Sequence, residues 1–129
     1  MPRAERLAPA LLGVLGAVEV LLGLWMVVSP HSFFDAIGPF QAYNPHYIRD
    51  VSTFSLAIGV ASLVAVRRPT WWAPVLTVAA IQFGFHTVNH IVDAGKASND
   101  AIGIIDAVAL GIVAVLLGWT AAQLVARPE

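Results

Sequence analysis

The sequence predicts an all-α fold, an integral membrane four-helix bundle. Three observations carry that prediction. Of 129 residues, 58% are hydrophobic and 12% are charged, about half the charged share of a soluble domain. Mean hydropathy is +0.77. Four apolar stretches each reach the roughly 20 residues that a helix needs to cross a bilayer. Eight acidic and seven basic side chains cannot cover a soluble domain of this length, so the bilayer is its natural solvent. A single domain over residues 1–129 is expected.

The first stretch covers residues 7–28. Arg3 and Arg6 would make the charged start of a signal peptide. The apolar run behind them is too long for one, carries Glu19, and lacks a small-residue cleavage site, so it is expected to be retained. No lipidation motif is present. The second, third and fourth stretches cover residues 47–66, 71–93 and 101–125. Apart from closed barrels, only helices satisfy their own backbone in lipid. These runs are too long and continuous for barrel strands.

The connections differ in character. Residues 29–46 hold Pro30, Gly38, Pro39 and Pro45, with Phe33, Phe34, Phe40 and Tyr43 between them. A plain polar linker needs no aromatics, so a partly ordered segment at the membrane interface is expected. Arg67, Arg68, Pro69 and Thr70 make a tight turn, with Trp71 and Trp72 as interfacial anchors. Residues 95–100 make a second short turn. Short turns favour antiparallel neighbours, so the last three spans are expected to run up, down and up. With the N-terminus inside, Arg3, Arg6, Arg67, Arg68 and Arg127 are cytoplasmic, and only Arg49 and Lys96 are outside. That asymmetry predicts N-in, C-in. Gly13, Gly16, Gly23, Gly59, Gly84, Gly103, Gly111 and Gly118 fit close helix approach, with plain helix packing as the bland reading.

Whole function classes drop out. The net charge is −1 and no cysteine is present. There is no basic block for nucleic acid. Disulfides, thiol redox chemistry and cysteine metal sites are excluded.

The ionisable groups are concentrated in the outer half. Glu19 lies about 13 Å and His86 about 11 Å below the outer ends of their spans at helical rise. Asp50, His90 and Asp106 lie roughly 5–8 Å in. His46, Arg49 and Asp93 belong to the rim, and His31, Asp35 and Asp100 to outer connections. Charge within a membrane is costly, so each such group is a functional hypothesis by default. Gln82, His86, Asn89, His90 and Asp93 share one helical face. His86 and His90 stand at i, i+4 and can share a metal, with Asp93 as a further ligand or a supporting partner. His46 and Asp50 have the same spacing. The spacing is no zinc-protease motif, because the Glu after the first His is absent.

Glu19, His46, Arg49, Asp50, His86, Asn89, His90 and Asp106 are thus expected to line one polar chamber. Ligands without sulfur suit zinc, iron, copper or manganese, and haem stands beside them. The cofactor is not specified by the residues. The bland alternative is a structural network, with Arg49 neutralising Asp50 or Asp106. Three functions remain open. The first is a membrane binding protein or enzyme for a metal or a small amphiphile. The second is an accessory or structural subunit of a membrane complex, as a homo-oligomer or with a partner. The third is a small proton-coupled transporter. For that one, Glu19 followed by Gly23 is similar to the first helix of small multidrug-resistance exporters, whose other signatures are missing.

Pro30 with Phe33 and Phe34, the run Tyr47, Ile48, Arg49, Asp50 and Val51, the turn Arg67, Arg68 and Pro69, and residues 86–93 carry a further resemblance. In layout the whole chain resembles the small four-helix DoxX-like membrane proteins of actinobacteria. The resemblance implies the fold and a bacterial inner membrane. It implies no activity, because those proteins largely lack an assigned one.

Overall fold

A computed structural model describes residues 3–40, 42–97 and 100–126, the side chain of Asp100 apart. Arg127 and that side chain, both used above, lie outside the described residues. Most of the described chain is helical: α1 (Arg3–Val28), α2 (Pro30–Ala36), α3 (Pro45–Ala65), α4 (Pro69–Asp93), a 3-10 turn (Ala94–Lys96) and α5 (Asp100–Val125). The four long helices are long and apolar enough to cross a membrane. They start one to four residues before the apolar runs do, α3 and α4 because a proline opens each helix two residues ahead of its run.

Prolines set the starts. Pro45 and Pro69 open α3 and α4, where a missing N–H costs nothing and a fixed φ helps. Asn44 caps α3, its Oδ1 accepting from the backbone N–H groups of His46 (3.0 Å) and Tyr47 (3.3 Å). Pro30 restarts the chain as α2 directly after Ser29. The expected interfacial segment is therefore partly helical. Trp25 fastens it to α1 by donating from its indole N–H to Ser32 Oγ at 2.7 Å and by packing edge-on against Phe33. Beyond α2, Tyr43 packs on His31 and Phe34. Phe40 makes a bridge to Ala97 that joins this segment to the chain just beyond the 3-10 turn that follows α4.

The helices pack mainly as two pairs, α1 with α3 and α4 with α5, and α3 meets α4 more sparingly. Glycine allows the first pair to close. A Cβ on Gly16 would fall 2.9 Å from the Gly59 carbonyl oxygen, and one on Gly59 would fall 2.8 Å from the Val20 backbone nitrogen. In the second pair, a Cβ on Gly103 would fall 2.5 Å from the Ala94 carbonyl oxygen. Gly13 approaches Val66, Gly16 approaches Leu63 and Gly23 approaches Leu56; likewise Gly103 lies by Ala94, Gly111 by Thr87 and Gly118 by Ala80.

The apolar core lies toward the Arg67–Arg68 end. It joins Ala8, Leu12 and Leu15 of α1, Ala65 of α3, Leu76, Ala79 and Phe83 of α4, and Leu117 and Ala121 of α5. That end is closed by Trp72, whose indole N–H donates to the Ala65 carbonyl at 3.0 Å, and by Arg68 over the Trp71 ring. The opposite end of the bundle has no such apolar cluster among the described residues and holds the polar groups instead.

Candidate functional site

The polar groups divide into a buried row and a scattered rim. The row runs between α4 and α5. His86 and His90 stand one turn apart on α4, with their Nε2 atoms 3.1 Å apart, one ring donating to the other. His90 Nδ1 faces Asp106 Oδ2 of α5 at 4.0 Å. The side chains of His90 and Asp106 are only 16% and 25% exposed. At 4.0 Å the two atoms are too far apart for a hydrogen bond, and both are buried without a partner. Gln82, one turn along α4 from His86, has its carbonyl oxygen buried in the same condition. Phe40 lies edge-on to His90 with ring centres 5.0 Å apart. The interfacial segment thereby covers the row.

Why these side chains meet follows from the packing. Close approach at Gly103 draws the start of α5 onto the end of α4. Asp106, three residues later, then comes beside His90. Thr87 takes no part in the row, since its hydroxyl donates back to the Phe83 carbonyl, and the apolar positions Phe85 and Val88 are exposed on the lipid side.

The other expected chamber residues are placed elsewhere. Glu19 is 7% exposed and packs against α3, where its Cβ lies close to Gly59. His46 pairs with Asp50 at 3.3 Å, but their side chains are 77% and 59% exposed. His31 and Asp35 make a similar exposed pair at 2.9 Å. Asn89 is exposed. Its offset from His86 puts it on the flank of the stripe rather than at its centre. Asp93 pairs with Lys96 at 2.6 Å, which draws it toward the rim. The expected ion pair of Arg49 with Asp50 or Asp106 is not formed among the described residues; Asp50 pairs with His46 instead, and Asp106 stands 4.0 Å from His90. Also among the described residues, no group of three or more His, Cys, Asp or Glu side chains gathers closely enough to enclose a metal ion.

Two features escaped sequence reasoning. One is Phe40 as the cover of His90, which depends on the path of residues 37–44 across the bundle. The other is an apolar groove of about 580 Å³ between α3 and α4, lined by residues including Ala57, Ile58, Ala61, Trp71, Pro74 and Val78. Gln82 and then His86 follow Val78 at one-turn intervals on the same stripe of α4. Set against known proteins, the chain matches no family model, no curated protein and no solved structure.

Proposed function

We propose that this is a multi-pass protein of a bacterial inner membrane that binds a small amphiphile through its polar row. The helices run antiparallel with both termini in the cytoplasm, so that the row opens toward the outer leaflet. The observation that carries the reading is the pair of buried, unpartnered atoms His90 Nδ1 and Asp106 Oδ2, 4.0 Å apart. Leaving buried polar groups unpaired costs about 1–3 kcal/mol each, and native proteins rarely accept that cost without a reason. A ligand hydroxyl about 2.9 Å from each atom serves both. It accepts from His90 Nδ1–H and donates to the Asp106 carboxylate.

The neighbouring surface fits the rest of such a molecule. An apolar tail leaving the row passes Gln82 and enters the α3–α4 groove, where helix contact is sparse. Ligand sites are mostly apolar with a few placed polar groups, and this one has that composition. The direct test is mass spectrometry of amphiphiles retained by protein extracted in a native lipid disc. One species enriched over bulk lipid in the wild type, and lost in Asp106→Leu and His90→Leu, is the expected result. Identical lipid profiles for all three proteins would refute the reading.

A further inference from the structure

We propose that His86 and His90 together hold one borderline divalent metal ion, of the zinc and cobalt type, through their two Nε2 atoms. The inference rests on the row being the functional site, and it adds an inorganic ligand to that site. It departs from the ligand set that the sequence suggests: Asp93 is drawn off by Lys96, and Asp106 takes a supporting place.

The geometry comes first. The two Nε2 atoms are 3.1 Å apart. With metal–nitrogen bonds of about 2.1 Å, that separation subtends about 95° at the metal, a workable angle for two neighbouring ligands. The two Nε2 atoms now share one proton in a hydrogen bond; loss of that proton and a small turn of each ring aim both lone pairs at one ion beside the Nε2–Nε2 line. The next observation concerns the far side of His90. Metal on Nε2 leaves the proton on Nδ1, and Nδ1 faces a carboxylate, Asp106. A ligating histidine almost always directs its second nitrogen at such a partner; here the carboxylate stands 4.0 Å from Nδ1, one bridging hydroxyl away, and the metal itself fixes the tautomer. The tautomer so fixed is also the one that a hydroxyl needs in order to bridge His90 Nδ1–H and Asp106. Metal and amphiphile therefore favour each other.

The exposed pairs are the contrast. His31 with Asp35 and His46 with Asp50 also have i, i+4 spacing. Each offers one nitrogen and one carboxylate in water, without a second histidine. Two protein nitrogens leave coordination positions open. Water or an oxygen of the bound amphiphile fills them.

The test is titration of the full chain in detergent, carrying no polyhistidine tag, with Co²⁺ followed by visible absorption and with Zn²⁺ as competitor. The expected result is one Co²⁺ per chain with ligand-field bands that Zn²⁺ abolishes. The bands disappear in His86→Ala/His90→Ala and in the gentler His86→Gln, and they persist in His31→Ala/His46→Ala. Asp106→Asn weakens binding about tenfold or more. A melting curve on each variant separates lost binding from lost fold. Absence of bands in the wild type overturns the proposal. So does a signal that follows His31 and His46, which marks an adventitious surface ion. Retained amphiphile in a protein that takes up no metal would sink the metal and leave the ligand reading standing; absence of amphiphile with metal bound would do the reverse.

Discussion

Asp106 is the side chain at which a ligand site and a structural network predict opposite results. Its carboxylate does not hydrogen-bond His90 across 4.0 Å, so removing it breaks little inside the protein. Replacing a buried charge by an apolar group of similar size is often neutral or stabilising. Asp106→Leu is therefore expected to melt within about 0.5 kcal/mol of the wild type, or above it, while losing the bound amphiphile. A drop of about 1–3 kcal/mol with ligand still bound would mark the row as a structural network. Phe40 is the next test. Its edge-on contact with His90 is of a kind that contributes about 0.5–1.5 kcal/mol. Phe40→Ala is expected to weaken amphiphile binding by about twofold to tenfold, read from competition in lipid discs. The neighbourhood of His86 and His90 was legible, because i, i+4 spacing fixes it on any helix. That Glu19 packs on α3 and that Arg49 is exposed was not. In lipid a helix is apolar on both its packed and its exposed faces, so the sequence carries no phase that says which side turns inward.

Helix against helix, the glycines make the sharpest claim. Gly59 faces the backbone nitrogen of Val20, and Gly103 faces the carbonyl oxygen of Ala94. Backbone cannot step aside as a flexible side chain can. Gly59→Ala and Gly103→Ala are each expected to lower stability by about 1–3 kcal/mol. Gly84 has open space around its missing Cβ, and Gly84→Ala is expected to be neutral or to stabilise α4 by up to about 1 kcal/mol. Thermal melts of the three variants in one detergent check the ordering; equal losses at all three would contradict the packing. Gly103→Ala also displaces Asp106 from His90, so it is expected to reduce amphiphile binding whereas Gly59→Ala leaves it intact. Helix existence was readable from length and hydropathy alone. Which helices pair was less so. Short turns suggested α3 beside α4, yet the long interfacial segment permits α1 and α3 to pair closely through Gly16, Gly23 and Gly59. Sequence distance between two helices does not limit their contact once a folded segment carries the chain across.

For the molecule as a whole, the proposed orientation of the bundle is directly measurable, and the chain suits the measurement. It has no cysteine, so a single introduced thiol reports its own position without background. Thr70 is exposed at the α3–α4 turn beside Arg67 and Arg68. Gly95 is exposed at the opposite end, with nothing within 4 Å of an added Cβ. Lys and Arg near span ends favour the cytoplasmic side. Arg3, Arg6, Arg67 and Arg68 all stand at the core-packed end, against Arg49 and Lys96 at the other. Gly95→Cys in intact cells is therefore expected to react with a membrane-impermeant maleimide, and Thr70→Cys only after permeabilisation. That result would turn the His86–His90–Asp106 row toward the outer leaflet, where it meets amphiphiles and metal ions of the cell envelope. The reverse pattern would turn the same row toward the cytoplasm. It would leave the binding chemistry intact while changing which ligands can reach it, and native-disc lipid profiles would then have to be compared with cytoplasmic-leaflet species.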